Sequence, residues 1–304
     1  MTRLALGPAL LFCPADRPER FDKALERADA VILDLEDGVA PADRPRAREA
    51  LVAFATRWQE SQQAREADAG DGTVDADRVI VRVNAASSPD FGADLDAVRA
   101  TPFRTIMLAK AESIAELDEL VAGLGPVGII ALCETAKGVL AARELAAHPA
   151  TIALMWGAED LVVSLGGTSS RTADGAYREV ARFARSAVLL AAAAHGVDAI
   201  DAVHIDLDDL DGLAVEAQDA VASGFAATAC LHPSHAQVVR QAYRPSEDAV
   251  ARAREVLAAA GEASGALRVE GRMIDEPLVA QARAVLARAG SSGADSRPAG
   301  PIPG

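Results

Sequence analysis

The sequence is poor in aromatic residues and in cysteine. Only 4% of its 304 residues are aromatic although 50% are hydrophobic, which predicts a core of mainly alanine, valine, leucine and isoleucine. So large a hydrophobic fraction excludes an intrinsically disordered chain. The three cysteines, Cys13, Cys133 and Cys230, are too few and too widely spaced for a disulfide framework or a thiolate zinc site.

The sequence also lacks positive charge and long apolar runs. Lysine and arginine number 30 against 45 acidic residues, which gives a net charge of −15. Such a protein is not expected to bind nucleic acid or anionic membranes non-specifically. No apolar run approaches the ~18 residues of a membrane span, and the N-terminus has no charged region followed by an apolar one. We therefore expect a soluble, cytoplasmic protein without nucleic-acid or membrane partners.

Eight short apolar runs alternate with longer amphipathic stretches. Such runs fit strands buried on both faces of a parallel sheet, and the stretches between them fit helices. The predicted strands are 9–13, 30–35, 79–83, 105–109, 127–133, 152–156, 200–205 and 227–231, and the predicted helices are 19–28, 44–57, 91–100, 113–124, 138–147, 177–195 and 213–223. Eight units predict an α/β fold, a (β/α)8 TIM barrel. One strand fewer would leave an open doubly wound sheet.

Two regions fall outside this alternation. Residues 59–77 are polar and are interpreted as a surface excursion between the second helix and the third strand. Beyond the eighth strand, two further helices are predicted that a barrel does not need for closure. We expect a barrel domain over 1–243, a C-terminal helical extension or lid over 244–290, and a disordered tail over 291–304.

Charged or titratable residues lie at the C-terminal ends of six of the predicted strands or directly after them. In an α/β barrel, the C-terminal strand ends form the mouth where reactive groups project. The residues are Glu36 and Asp37, Arg82, Lys110, Glu134, Glu159 and Asp160, and His232. One acid alone in such a place is usually a helix cap or a solvated loop charge. A cluster of acids and bases at one rim is costly without a ligand or a metal, so the set predicts a functional site.

Glu134 and Asp160 follow adjacent predicted strands, so their carboxylates are expected to meet over the mouth. Two carboxylates without a nearby His or Cys suit Mg²⁺, a hard cation that takes few protein ligands and keeps water or substrate oxygens. Arg82 is expected to bind a substrate carboxylate in a bidentate fork.

Other candidates carry less weight. Residues 166–170 form a Gly/Ser stretch that is either a turn or a ligand-cradling loop, and it lacks the lysine of a P-loop. His204 is interpreted as a core histidine. The pair His232 and His235 lacks a third metal ligand. Cys133 is interpreted as a small buried residue, because no histidine is placed by the sequence to activate it.

Several stretches together resemble one known family. They are 11–21 (LFCPADRPERF), 31–39 (VILDLEDGV), 81–84 (VRVN), 108–113 (LAKAES), 132–138 (LCETAKG), 156–161 (WGAEDL), 224–233 and 270–277 (EGRMIDEP). The chain resembles the citrate lyase β-subunit-like (CitE-like) proteins of the HpcH/HpaI aldolase superfamily, which includes malyl-CoA, citramalyl-CoA and β-hydroxyacyl-CoA lyases. The resemblance implies a (β/α)8 barrel with a C-terminal helical extension, assembled as a homotrimer or a dimer of trimers.

The resemblance also implies roles for individual residues. Glu134 and Asp160 match the Mg²⁺ ligands, and Arg82 matches the arginine that holds the oxo-acid carboxylate. Asp275 matches an acid/base that reaches into the neighbouring subunit's mouth. Together with the strand-end charges, the candidate catalytic residues are Asp275, Arg82, Glu36 and Asp37, and the candidate substrate-binding residues are Phe12, Arg17, Lys23, Arg82, Leu231 and His232. Phe12, Arg17 and Lys23 match the family's CoA contacts.

The predicted activity is therefore reversible carbon–carbon cleavage of a short β-hydroxyacyl-CoA, malyl-, citramalyl- or hydroxymethylglutaryl-CoA-like, to acetyl-CoA and a 2-oxo acid, with Mg²⁺ as cofactor. Two alternatives stay within enzymes. One is a class II aldolase acting on free 2-keto-3-deoxy acids, and the other is a citrate lyase β subunit acting on a carrier-bound citryl thioester. A non-catalytic protein that binds metal and oxo acid is a third alternative, and an acid/base at Asp275 argues against it.

Overall fold

A computed structural model describes residues 6–68, 76–261, 267–269 and 272–293. The chain divides into two compact units, residues 1–239 and 240–304. Among the described residues, no helix is both long enough and apolar enough to cross a membrane.

Eight parallel strands form a closed barrel in chain order, with the last strand paired to the first. They are β1 (Ala9–Pro14), β2 (Ala30–Asp34), β3 (Val79–Val83), β4 (Thr105–Leu108), β5 (Gly128–Cys133), β6 (Thr151–Trp156), β7 (Asp198–Asp201) and β8 (Ala227–Cys230). This confirms the predicted (β/α)8 TIM barrel and rules out the open sheet, because every strand has two neighbours.

Helices follow the strands along the chain. They are α1 (Phe21–Arg27), α2 (Arg44–Asp68), α3 (Phe91–Arg99), α4 (Ile114–Leu124), α5 (Ala136–Leu140), α6 (Ala142–Ala147), α7 (Ala158–Ser164), α8 (Glu179–His195), α9 (Leu210–Ser223) and α10 (Pro233–Tyr243). Local sequence fixes several of their ends. Ser113 and Glu116 form a capping box at the start of α4, and Gly196 ends α8 in the left-handed conformation that favours glycine.

The barrel interior is filled by every second residue of the strands. The buried cluster contains Leu10, Ala30, Ile32, Ile80, Met107, Ile130, Leu132, Ala153, Met155, Ile200, Ala227 and Ala229, with Phe12 packed against it. Continuing the same alternation on β2, β3 and β5 brings Asp34, Arg82 and Glu134 to the inner side at the strand ends. The core therefore forms the floor of a mouth whose first polar layer is charged.

Two predicted boundaries are wrong. The predicted excursion 59–77 begins as regular helix, because α2 runs on to Asp68, and it ends in a 3₁₀ turn at Ala76–Arg78; residues 69–75 lie outside the described residues. The predicted strand 200–205 is shifted, since β7 spans Asp198–Asp201. Asp198 begins the strand despite its charge, pairing with Ala153 of β6.

The second unit contains α11 (Glu247–Gly261), α12 (Glu276–Gly293) and an antiparallel hairpin of β9 (Leu267–Val269) and β10 (Arg272–Ile274). The two helices confirm the two that were predicted beyond the eighth strand, while the hairpin was not predicted. α12 also runs into the predicted tail 291–304, of which residues 294–304 lie outside the described residues. The functional division into barrel, lid and tail stays a prediction.

Candidate active site

Consecutive strand ends of the barrel bring seven charged side chains to one part of the mouth. β2 to β6 are neighbours in the barrel, and they or the residues that follow them carry Asp34, Glu36, Asp37, Arg82, Lys110, Glu134 and Asp160. Five carboxylates thus surround two cations. Sequence reasoning identified these residues, with the exception of Asp34, as charges at strand ends.

Asp34 and Arg82 form the innermost pair. They are register partners on β2 and β3, and the guanidinium donates from Nε and Nη2 to the two Asp34 oxygens at 2.7 Å each. Asp34 also accepts the backbone N–H groups of Glu36 and Gly38, at 2.9 and 2.8 Å. One buried carboxylate therefore fixes both the arginine and the turn that carries Glu36 and Asp37.

Arg82 is held on three sides. Its Nη1 lies 3.0 Å from Glu36 Oε2, and its guanidinium carbon lies 4.8 Å from the centre of the Phe12 ring. The carboxylates of Asp34 and Glu36 raise the pKa of Arg82 in spite of its burial, so it stays charged. Because Asp34 takes the Nε–Nη2 edge, only the Nη1–Nη2 edge is left to face a ligand. Binding of a substrate carboxylate by Arg82 stays a prediction, restricted to that edge.

Lys110 lies at the centre of the remaining acids. Its ammonium group contacts Glu36, lies 2.9 Å from Asp37 Oδ2 and 3.3 Å from Asp160 Oδ1, and is 3.9 Å from Glu134 Oε1. Burial alone would lower the pKa of Lys110, but the carboxylates of Glu134, Glu36 and Asp37 raise it above its usual value. The amine is therefore a permanent positive charge.

Glu134 is a deeply buried acid of the site. Burial and the neighbouring Asp160 carboxylate raise the pKa of Glu134 to about 8, although Arg82 and Lys110 act in the opposite direction. Gly157 makes room for it, since a Cβ at that position would lie 2.8 Å from Glu134 Cβ and 2.9 Å from Oε2. A negative charge on Glu134 is therefore costly without a nearby cation, which fits the role of a cation ligand.

Asp160 completes the pair from the first turn of α7, directly after β6. Its side chain is 35% exposed, so it borders the solvent-filled mouth, whereas that of Glu134 is only 4% exposed. Among the described residues, no three His, Cys, Asp or Glu side chains form a ready-made metal cage. Two carboxylates that share one cation and leave further positions to oxygen ligands fit Mg²⁺ and do not fit zinc.

Apart from Arg82, the predicted substrate-binding residues lie on or after two neighbouring strands, β1 and β8. Phe12 is on β1, and Arg17 follows it as an exposed side chain near Asp16, with Nε 3.6 Å from Oδ2. Lys23 is exposed on α1. Leu231 and His232 follow β8, which pairs with β1, and both are exposed. The structure thus brings Phe12, Leu231 and His232 to the mouth, and their role in binding stays a prediction.

Asp275 belongs to the second unit. It precedes α12, is exposed, and its Oδ1 accepts the backbone N–H of Leu278 at 3.2 Å. This is an N-terminal cap of the helix, which is the ordinary role of an aspartate at that position. Its role as an acid/base stays a prediction.

The weaker candidates have structural roles. His204 is buried, with Nδ1 2.8 Å from Glu216 Oε2. His235 is also buried and its Nε2 lies 3.4 Å from the Leu207 carbonyl. Among the described residues, no third ligand joins it and His232 to form a metal site. Burial raises the pKa of Cys133 to about 12, which makes its thiol a poor nucleophile.

A (β/α)8 barrel with a carboxylate pair, an arginine and a lysine at its C-terminal mouth is the architecture of a barrel enzyme that acts on an anionic substrate with a divalent metal. The profile of one family, HpcH/HpaI aldolase/citrate lyase, matches residues 9–233. The chain belongs to this family.

Two curated relatives cover most of the chain. The citrate lyase subunit beta-like protein of Mycobacterium tuberculosis (strain H37Rv) is 52% identical over 277 residues, which is 91% of this chain and 93% of the relative. The mitochondrial citramalyl-CoA lyase of Rattus norvegicus is 30% identical over 297 residues, covering 88% and 82%. The crystal structure of CitE from M. tuberculosis in complex with magnesium, acetoacetate and coenzyme A matches with a TM-score of 0.84 and 51% identity, over 94% of this chain and 99% of that one.

Proposed function

We propose that the protein is a Mg²⁺-dependent carbon–carbon lyase that reversibly cleaves a short β-hydroxyacyl-CoA to acetyl-CoA and a 2-oxo acid. The observation that carries the proposal is the convergence of Glu134 and Asp160 on one cation position beside Arg82. Homology supports it, since one relative is named citramalyl-CoA lyase and a homologous structure holds magnesium, acetoacetate and coenzyme A together.

The chemistry requires no further reactant. The bond between the α and β carbons of the acyl chain breaks, and its electron pair stays on the α carbon as a thioester enolate. The β-hydroxyl loses its proton and becomes the keto group of the 2-oxo acid. Protonation of the enolate carbon then gives acetyl-CoA. The protein must therefore bind the carboxylate, stabilise the oxygen that becomes the keto group, and supply one proton to carbon.

Glu134 and Asp160 would hold the magnesium ion. The ion, when bound, supplies a Lewis acid for the oxygen that becomes the keto group. Glu134 is buried and Asp160 is partly exposed, so the metal position would open towards the mouth of the barrel, where the substrate enters. Arg82 orients the oxo-acid carboxylate with its Nη1–Nη2 edge, which also contacts Glu36 through Nη1, and Asp34 holds the guanidinium in place.

The CoA moiety is bound at the β1 and β8 side of the mouth. Arg17 and Lys23 are exposed cations that pair with its phosphates, which offsets the repulsion expected from a chain of net charge −15. Phe12, Leu231 and His232 line the path of the thioester arm in this proposal.

Asp275 is the proposed acid/base that exchanges a proton with the enolate carbon. Following the resemblance, it acts in the mouth of a neighbouring subunit in a homotrimer or a dimer of trimers. The exposure of Asp275 in its own unit supports this proposal, because an acid that serves another subunit must be accessible. Asp275→Asn should lower turnover by orders of magnitude while leaving oxo-acid binding intact.

The direct test incubates the full-length protein and Mg²⁺ with a panel of β-hydroxyacyl-CoA thioesters and identifies the released 2-oxo acid by mass spectrometry. We expect one thioester to be cleaved, with loss of turnover in Glu134→Ala and in the presence of EDTA. Turnover of free 2-keto-3-deoxy acids with none of any thioester would contradict the proposal, and so would full activity with EDTA present.

One alternative rests on the name of a relative, citrate lyase subunit beta-like protein. In that case the substrate is a citryl thioester on an acyl carrier protein, and the same mouth releases oxaloacetate. Both substrates are thioesters of a β-hydroxyacyl group, which is carried by coenzyme A in the first case and by an acyl carrier protein in the second. Cleavage of carrier-bound citryl thioester by a protein that is inert on every CoA thioester of the panel would select this alternative.

A further inference from the structure

Lys110 is a charged residue of the mouth to which the proposed reaction assigns no role. It lies in the turn after β4 with a φ of 50°, and it is the only residue other than glycine with a positive φ in the described part of the chain. A lysine in this left-handed region is strained, and such strain persists only where the surroundings hold the residue in place. Here the surroundings are the carboxylates that its ammonium group contacts.

The ammonium group contacts the same two carboxylates that would bind the metal. It lies 3.3 Å from Asp160 Oδ1 and 3.9 Å from Glu134 Oε1. A divalent ion on these oxygens and an ammonium group at these distances would repel each other strongly in a partly buried site. Full occupation by one cation therefore requires the other to withdraw.

Lys110 has alternative carboxylate partners to which its ammonium group can move, whereas Arg82 is fixed. The guanidinium is fixed by both oxygens of Asp34. The ammonium group of Lys110 also contacts Glu36 and lies 2.9 Å from Asp37 Oδ2, on the side away from the metal pair along the barrel, and 29% of its side chain is exposed. A flexible lysine can keep those two contacts when it gives up the others.

We propose that Lys110 is a resident counter-cation that competes with Mg²⁺ for Glu134 and Asp160 and moves onto Glu36 and Asp37 when the metal binds. The inference rests on the proposed function, because it takes the metal position from it. Lys110 neutralises the acids of the metal-free site. Because it competes for the same carboxylates, it also lowers the affinity of the site for Mg²⁺. It is a positioning residue, and its effect is on metal binding rather than on a reacting atom.

Two substitutions remove the charge in different ways. Lys110→Met keeps most of the side chain's length. Lys110→Gly suits the left-handed backbone and retains the N–H that donates to Glu134 Oε1 at 3.1 Å, so it relieves strain and tests the charge if the methionine variant does not fold. Lys137→Met is the matched control, because it also removes one lysine charge, but Lys137 pairs with Glu112 at 3.1 Å and not with the proposed metal ligands.

The experiment is a calorimetric titration of the full-length, metal-free proteins with MgCl₂ alone. We expect both Lys110 variants to bind Mg²⁺ with a Kd at least about tenfold lower than the wild type, as removal of a unit charge at this distance implies. Lys137→Met should stay within about twofold, since its charge is exposed and screened. Without metal, Lys110→Met should have a lower melting temperature than the wild type. Mg²⁺ should raise the melting temperature of the variant by more than it raises that of the wild type.

The outcomes separate this inference from the proposed function. If the wild type binds no Mg²⁺, the proposed metal site fails. If the wild type binds Mg²⁺ and both Lys110 variants bind it equally or more weakly, the metal site stands and the role of Lys110 as a competitor is overturned. An equal gain in Lys137→Met would also overturn it, because net charge alone would then explain the effect.

Discussion

Replacing Asp34 by asparagine should destabilise the barrel and loosen the mouth at the same time. The side chain of Asp34 is 3% exposed, and that of its partner Arg82 is 10% exposed. Four N–H groups point at the Asp34 carboxylate, two from the guanidinium and two from the turn that follows β2. The substitution removes the negative charge but leaves the buried guanidinium.

The magnitude follows from the burial of the pair. Removing one partner of a buried ion pair costs about 3–5 kcal/mol, because the other charge stays buried without compensation. Glu36 lies 3.0 Å from Arg82 Nη1 and the asparagine oxygen can still accept one turn amide. We therefore expect a loss near the lower end, about 3 kcal/mol of the free energy of unfolding.

Equilibrium unfolding in urea measures this loss. Asp96→Asn is the matched control, because Asp96 pairs with Arg99 at 2.6 Å but its side chain is 75% exposed, and such pairs contribute less than about 1 kcal/mol. In the double variant Asp34→Asn/Arg82→Met, the loss of unfolding free energy should be smaller than the sum of the losses in the two single variants. A loss below about 1 kcal/mol for Asp34→Asn, or additive single effects, would refute the reasoning.

Two other predictions concern the packing of the site. Gly38→Ala should lower the stability measured by urea unfolding, because the added Cβ would clash with Asp34 Oδ2. Gly92→Ala is the control and should be neutral or stabilising, since no atom lies within 4 Å of the added Cβ. Equal effects of the two substitutions would contradict this prediction. The thiols of Cys13 and Cys133 should react with iodoacetamide at pH 8 only after urea is added, because both are buried and burial raises the pKa of each to about 12. Rapid labelling of these thiols in the native protein would contradict this prediction.

Much of the fold could be predicted because strand burial leaves a direct mark on the sequence. The runs at 79–83 and 227–231 are mainly apolar, and the structure has strands there. The polar composition of residues 59–77 resembles that of a loop, whereas α2 extends to Asp68 as a helix in which residues 59–61 are exposed. Composition alone does not distinguish a solvated helix from a loop.

The charged mouth could be predicted in outline but not in its pairing. Arg82 was expected to face substrate, yet its bidentate edge is bound by Asp34. The alternation of inward residues contained the signal, since Ile32 and Ile80 face the interior and Asp34 and Arg82 follow each of them by two positions. The contacts of Lys110 depend on a left-handed turn, which no sequence pattern at a lysine indicates.

The central claim is that Glu134 and Asp160 together bind one magnesium ion at the mouth of the barrel. Titrating the full-length wild type with MgCl₂ in the presence of a 2-oxo acid, beside Glu134→Gln and Asp160→Asn, tests it most directly. The account predicts one Mg²⁺ per chain for the wild type and a loss of binding in each variant. Unchanged Mg²⁺ binding in either variant would contradict it.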